Sequence, residues 1–553
     1  MPISSQGIAP IDESTPVLIV GGSLVGLASA AFLARFGIPS LLVERHSGAP
    51  FPRAGGFNIR TMELFRMAGI EEAIAREEPP AAQSNGILRA ESLAGKEFGW
   101  VTDLFSDEGE GSTSLPLPIR RSHISQSQLE GILKAYASSH GANLNFNTEF
   151  LSWKADAEGI TTRIQERATG IERTIRSRYL IAADGNLSSI RQQLGIATEG
   201  PGILNHQVRI AFSADLRPAL RGRHIIVCYV DNPTIRGPLS LTSTDTHVGA
   251  LLTEYHPEQG EQAEDFSGER GIALIRAAIG IPDLDVEIFA VRPWILAAQV
   301  AERFQQERIF LAGDSAHVMP PSGGLGVNTG IADAYNLAWK LAMVIQGIAD
   351  QSLLSTYEAE RKPVAQFTVE QAFARYASMW AKQQPDILQP FTQFITPIID
   401  YITVALGYRY HSIATRSSSR KEDERYEDPR HPTGRPGTHA AYLTLERQGK
   451  QFFLLDILDQ GFVLLVAQDG EAWCEAARQI AVQLRSVLST YSIGPAGDYI
   501  DVEGHWYETY GITTSGAVLL RPDGFIAWRT ETMSSSPRRL LEQTLLHLLG
   551  LST

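Results

Sequence analysis

Near its start the chain runs PVLIV, GGSLVGLASAAFLARFG and IPSLLVERH, spanning residues 16–46, and this stretch restricts the possible folds more than any other. Pro16 to Val20 is a short apolar run without polar alternation, as a strand buried on both faces requires. A glycine turn follows, then an amphipathic helix packed through Ala28, Ala31, Leu33 and Ala34, then a second strand ending at Glu44. A βαβ unit of roughly thirty residues implies a parallel, doubly wound sheet with a dinucleotide at its first turn. Glu44 lies 18 positions after Gly26, close to the spacing of about 20 expected of a ribose-binding carboxylate. The G-x-G-x-x-G spacing calls for glycine at positions 21, 23 and 26, yet position 23 is Ser. Ser is small, so the turn is expected to survive, with Gly22 taking the strained backbone position and a bound pyrophosphate slightly displaced. The candidate cofactor residues here are Gly21, Gly22, Ser23, Leu24, Val25, Gly26, Glu44 and Arg45.

A second constraint is RIFLAGDSAHVMPPSGGLGVNT, Arg308 to Thr329. Ile309 to Ala312 suffices for one buried strand, Gly313 and Asp314 stop it, and a helical pattern begins near Gly330. A carboxylate at a strand end, beside backbone that can approach a ligand closely, suits a polyhydroxylated cofactor chain. The amides of Gly323 to Asn328, at the next helix N-terminus, suit a partial negative charge. GDSAH followed by PPSGGLGVNTGIADAYNLAWKL closely resembles the second flavin-binding motif of the single-component FAD-dependent aromatic hydroxylases. The resemblance implies that Gly313 and Asp314 hold the ribitol chain of FAD. It also implies that Pro321, Gly324, Leu325, Gly326, Val327 and Asn328 support the pyrimidine end of the isoalloxazine.

Other segments fit the same family in chain order. FPRAGGFNIRTMELFRMAG matches its Pro-Arg-Ala-x-Gly and Arg-Thr-x-Glu elements, and the resemblance places Arg53 in the cofactor cleft, both as cofactor ligand and as candidate catalytic residue. Arg60, Glu63 and Arg66 equally read as a solvated helix face with i,i+3 pairs. Gln126, opening an amphipathic helix, corresponds to a family residue that touches the flavin phosphate or ribityl region. Asp184-Gly185, Ser188 and Arg191 form D-G-x-x-S-x-x-R, which in the family serves FAD and NAD(P)H, with Asp184 and Arg191 as the candidate ligands. Tyr357, Glu360, Arg361 and Pro363 match Y-E-x-E-R-x-P, read as structural.

The expected fold class is α/β: a Rossmann-like FAD-binding domain of the glutathione-reductase type interleaved with a β-sheet substrate domain, plus a C-terminal thioredoxin-like α/β domain. The boundaries are a flexible tail at 1–14, the FAD-binding domain at 15–200 and 285–350 (with about 80–118 partly in the substrate domain), the substrate domain at 201–284, a helical segment at 351–425, and the last domain at 430–553. The 77–114 stretch reads as strand fragments and a mobile loop over a cleft. HIIVCYV, SLTST and HVGALLTEY are the strands of the substrate domain. Tyr229, Tyr255 and Trp294, with Pro321 and Gly323, are candidate substrate contacts, and Arg375 is a second candidate catalytic residue, able to favour a phenolate. In the last domain FFLLDI, FVLLVAQ and AVLLRPDGFIAWR read as strands, and the absence of CxxC excludes dithiol chemistry by that motif.

Composition bounds the partners. A net charge of −14, from 48 Lys+Arg and 62 Asp+Glu, argues against nucleic acid and against anionic membrane surfaces. Two cysteines far apart exclude a disulfide framework, and a reducing, cytoplasmic setting is the simplest reading. The first thirteen residues carry neither the basic nor the apolar region of a signal peptide, and no metal-ligand cluster is legible. The resemblance implies an oxidoreductase in which NADPH (or NADH) reduces FAD, O2 adds to give a C4a-hydroperoxide, and a phenolic ring takes the distal oxygen. GYRY and PTGRPGTHA resemble the branch that hydroxylates aromatic polyketides, so a small polycyclic aromatic is the expected substrate of a monomer or homodimer. A Baeyer–Villiger insertion, an antibiotic-inactivating hydroxylation, or a flavin-binding protein without catalysis are the alternatives.

Overall fold

The computed structural model describes residues 11–48, 55–78, 86–101, 119–241, 246–380, 388–415, 424–483 and 488–551. Arg53, most of the expected N-terminal tail, and residues 79–85 and 102–114 of the expected loop lie outside them.

The first sheet is built on the N-terminal βαβ unit. Its spatial order is Gln305–Gln306, Ile309–Leu311, Glu172–Ala182, Glu13–Val20, Ser40–Glu44 and Asn143–Phe146, with a hairpin of Thr148–Ala155 and Ile160–Glu166 at Glu172–Ala182. The central pairings are parallel: Val20 lies beside Ala182 and Val43, and Ala182 beside Leu311. Val17 to Val20 and Ile309 to Leu311 are buried on both faces, with the helix Leu24–Arg35 and the Thr148–Glu166 hairpin packed in the same core, hence their unbroken apolar sequence. The first strand starts at Glu13, three residues before the expected Pro16, because Asp12 and Glu13 are already paired with Thr174 and Ile175. Helix α1, Leu24–Arg35, is buried along all but its Val25 and Arg35 positions. Helix α2 is Ile59–Met67, α3 is Gln126–Ser139, α4 is Leu325–Ile345 and α5 is Ser355–Trp380. Ser125 caps α3 in a reciprocal capping box with Gln128.

A second eight-stranded sheet contains Thr198–Ser213, Ile225–Asp231, Arg236–Leu241, Val248–Glu254 and Glu287–Ala301, with Gly86–Ala90 and Glu97–Val101 at one edge. Thr198–Ser213 pairs with Glu287–Ala301 along its whole length, so the sheet takes in a strand beyond the boundary expected at 284. One face packs Val208, Ile210, Phe212, Cys228, Leu239 and Leu251 under the helix Glu269–Ile279. The other face turns toward the first sheet.

The C-terminal unit has a four-stranded sheet, ordered Leu488–Ile493, Phe462–Ala467, Ala517–Leu520 and Ile526–Thr530, with helices Glu471–Gln483 and Pro537–Leu548. FFLLDI, expected as one strand, divides into the end of Lys450–Phe453, which pairs in a separate three-stranded sheet, and a 3-10 turn at Leu454–Ile457. AVLLRPDGFIAWR, also expected as one strand, is a hairpin, because Pro522-Asp523-Gly524 turns the chain with Gly524 at φ +79°. Leu488–Ile493 was not legible as a strand, since it is half polar and lies beside Phe462–Ala467 only after folding.

Candidate flavin site

Three sequence motifs meet at the carboxyl ends of the parallel strands. Gly21 has φ +109°, and a Cβ there would fall 2.1 Å from the Ala183 carbonyl oxygen and 3.1 Å from the Asp184 nitrogen. The strained position therefore falls on Gly21, whereas Gly22, expected to carry it, has ordinary φ and is glycine because a Cβ would meet Glu44 Cβ at 2.6 Å. Gly26 must also lack a side chain, since its Cβ would lie 1.9 Å from Gly21 O. Gly313 (φ +62°) is wedged between Val25 of α1 and Gly330 of α4, the latter so close that a Gly330 Cβ would be 3.0 Å from Gly313 Cα. Arg191 closes the triangle, donating to Ser315 O (2.9 Å) and Asn186 O (3.2 Å).

The parts of this crevice match the parts of a dinucleotide flavin. The first amides of α1 have no intrahelical partner and suit a pyrophosphate. Glu44 accepts from the Gly22 and His46 amides (2.7 and 2.9 Å) and keeps lone pairs for ribose hydroxyls. Arg45, next along, is exposed. Ser23 is accommodated from α3: its hydroxyl lies 3.3 Å from both Glu130 Oε1 and Gln126 Nε2, and Gln126 also donates to Glu130 (2.7 Å). Asp184 Oδ2 accepts from the Ile190 amide at 3.3 Å, while its buried Oδ1 has no donor among the described residues. Such an acceptor is costly unless a ligand hydroxyl or amide meets it. Asp314 sits exposed on a 3-10 turn, Gly313–Ser315.

Helix α4 starts at Leu325, five residues before the expected Gly330. Gly323 and Gly324 (φ +84° and +62°) reverse the chain, and Asn328 Nδ2 donates back to Gly324 O (2.7 Å). The amides of Leu325, Gly326 and Val327 are thereby presented without intrahelical partners. Asn328, a candidate flavin ligand, spends its side chain on the scaffold: Oδ1 accepts from the Asn58 amide (2.9 Å) and the Thr61 hydroxyl (2.6 Å). Sequence reasoning missed the group beneath this loop. Asp333 accepts from the Gly313 amide (3.2 Å) and Arg361 Nε (2.7 Å), and lies 2.7 Å from His317 Nε2. Burial opposes charge on Asp333, but Arg361 and His317 hold its carboxyl below the usual range. Polar types in an apolar helix were the available signal.

Arg375 packs its side chain against Gly323, and its guanidinium donates to Gln371 Oε1 (3.0 Å) and Ile399 O (2.6 Å). Pro321 is exposed beside it. Trp294 is cross-strand partner to Gln207 and packs on the core that includes the first sheet, so both lie on the face opposite Val208 and Ile210. Tyr229 shares that face of the second sheet, opposite Cys228 and Leu239, and burial raises its phenol. Tyr255 is placed otherwise. It packs on the far core against Phe266, because the residue after the strand end alternates to the other face. Two residues the sequence did not single out, Asn205 and Gln207, each leave a buried side-chain oxygen without a donor among the described residues.

Residues 14–372 match the family model for an FAD binding domain, and residues 433–551 match that for the C-terminal part of aromatic-ring hydroxylases. The chain belongs to the FAD-dependent aromatic-ring hydroxylases. It is 43% identical to a 4-methyl-5-nitrocatechol 5-monooxygenase from Burkholderia sp, over 97% of this chain and 98% of that one. It is 41% identical to a putative polyketide hydroxylase from Streptomyces halstedii, over 97% and 96%. The crystal structure of an aklavinone-11 hydroxylase in ternary complex with FAD and aklavinone superimposes with a TM-score of 0.87, at 35% identity and covering 98% of this chain and all of that one. The hydroxylase is thus an FAD-dependent monooxygenase that uses NAD(P)H and O2. None of its described helices is long and apolar enough to cross a membrane.

Proposed function

We propose that this hydroxylase oxygenates a phenolic ring of a polycyclic aromatic held between the Gly323–Asn328 loop and the inner face of the second sheet. The observation that carries the reading is the make-up of that face: Trp294 and Tyr229 offer flat apolar walls, and Asn205 and Gln207 offer buried acceptors that phenolic hydroxyls would satisfy. Likeness to the aklavinone complex supports a multi-ring occupant. Bound FAD supplies the redox step, with electrons from NAD(P)H and one oxygen atom from O2. The protein's share is orientation, exclusion of water and charge. Arg53, Asp184, Arg191, Gln126 and Asp314 serve the cofactor. Arg375, beside Gly323, favours the phenolate by placing a cation near the ring oxygen, which lowers a phenol's pKa.

A single-ring catechol is the second reading, carried by the 43% identity to the nitrocatechol enzyme. The protein acts on its small substrate as a monomer or homodimer in the cytoplasm, a setting supported by two unpaired cysteines, and its acidic surface disfavours nucleic acid. NADPH consumption measured against polycyclic phenols and nitrocatechols separates the readings. Stimulation by the former, with product mass raised by one oxygen, supports the polycyclic substrate. Stimulation by nitrocatechols alone, with release of nitrite, replaces it by the second.

A further inference from the structure

Helix α2 is held both by the flavin loop and by the C-terminal unit. At its start, the Asn58 amide and the Thr61 hydroxyl converge on one oxygen of Asn328, in the first turns of α4. In the same turn, Arg60 donates to Glu63 Oε2 (2.8 Å) and to the backbone carbonyl of Asp523 (2.7 Å) in the C-terminal unit. Glu63 is fully buried and receives two further partners from that unit, His439 Nε2 at 3.0 Å and the Tyr442 hydroxyl. The Arg60 guanidinium also lies over the Phe525 ring. Burial alone would raise the Glu63 carboxyl, but His439, Arg60 and Tyr442 pull it down to about 2. The carboxylate is therefore charged and matched at neutral pH.

These contacts form an unbroken path from His439 and Tyr442 through Glu63, α2 and Thr61 to Asn328 and the Gly324 carbonyl. Asn328 and Gly324 are its members in the flavin loop, and Thr61 and Glu63 come from the Arg-Thr-x-Glu element of α2. We propose that Glu63 is a positioning residue through which the C-terminal unit sets the Gly323–Asn328 loop, and hence how tightly FAD is held. The inference rests on the reading of that loop as the flavin loop. A carboxylate with three matched donors fixes α2 against sliding, and α2 carries the two donors that fix Asn328. The C-terminal unit thus acts on the cofactor site through α2.

A double-mutant cycle on the full-length protein tests the path, reading the FAD dissociation constant by flavin absorbance and the peroxide formed per NADPH consumed. Glu63→Gln breaks the charge match at one end, and Thr61→Val removes a donor to Asn328 at the other. Each is expected to weaken FAD binding about ten-fold and raise peroxide leakage, and the double variant is expected to lose about ten-fold in all, not the roughly hundred-fold of two independent losses. Glu63→Asp, which keeps the charge, is expected to recover part of the affinity. Fully additive losses, or an unchanged dissociation constant in folded Glu63→Gln, overturn the inference. If Glu63→Gln does not fold, Tyr442→Phe, which removes one donor to the same carboxylate, takes its place in the cycle. Failure of the wild-type protein to bind FAD at all would overturn the flavin-loop reading instead.

Discussion

Single residues decide whether this crevice can hold its cofactor. Asp314→Ala leaves the scaffold bonds of Ser315 and Arg191 in place while removing an exposed carboxylate. We expect FAD affinity to fall by about ten-fold or more with little change in melting temperature, the loss of a charged hydrogen-bond acceptor being worth roughly 1.5–3 kcal/mol. Isothermal titration of the apoprotein with FAD checks it. Arg375 gives a second test: without its cation the bound phenol ionises at higher pH, so in Arg375→Ala the turnover rate should climb with pH where the wild type is already level. A pH–rate profile unchanged in shape would remove Arg375 from the chemistry. At this scale the glycine motifs were legible because backbone contact leaves no alternative residue. Asn205 and Gln207 were not, since polar residues at alternate strand positions look the same facing solvent or a cavity. Arg60 and Glu63 looked like a surface pair for a related reason: what buries them, His439 and Asp523, lies more than 370 residues away in the chain.

At the scale of elements, helices α4 and α5 and the hairpin of the C-terminal unit are joined by a buried ionic cluster. Glu360 accepts from Arg521 (2.6 and 2.8 Å) and Lys340 (2.7 Å), and Arg521 also donates to Asp523 (2.6 Å). All four are essentially without solvent exposure. Removing one member strands a buried charge, so Arg521→Met should cost about 3–5 kcal/mol. The double variant Arg521→Met/Glu360→Gln should cost less than Arg521→Met alone, because the second substitution removes the stranded carboxylate. Thermal melts of the three proteins check this order, and a double variant worse than the single would contradict it. Helices and parallel strands with unbroken apolar runs could be placed from sequence, as could the βαβ unit. The start of α4 could not, because two left-handed glycines hide a helix beginning inside a loop-like string. Nor could the C-terminal hairpin, where the turn residues sit within one apolar run.

For the whole molecule, charge burial ties stability to pH. Glu63 is held at about 2 against an ordinary 4.5, and Glu360 and Asp333 are also held below their ordinary values. Below pH 4.5 the unfolded chain binds more protons than the folded one, so stability falls as pH drops from about 4.5 toward 2. Glu63 alone contributes roughly 3 kcal/mol across that window, at about 1.4 kcal/mol for each pH unit of separation. Lys340 is shifted down to about 8 by burial, with Glu360 opposing, so stability also rises with pH between about 8 and 10.5. Melting temperature between pH 5 and 3 should therefore fall less steeply in Glu63→Gln than in the wild type, and equal slopes would refute the assignment. The family membership was legible through motifs spread along the chain, whereas the dependence of the flavin loop on the last domain was visible only once both were in place.

Isotope labelling reads directly whether this chain transfers one oxygen atom from O2 to a phenolic ring at bound FAD. Protein reconstituted with FAD, NADPH and a polycyclic phenol is run under 18O2, and the product is weighed by mass spectrometry. The expected product carries one 18O atom, and the substrate stimulates NADPH oxidation. A product whose new oxygen comes from water, or NADPH oxidation that yields only peroxide with every phenol, would contradict it.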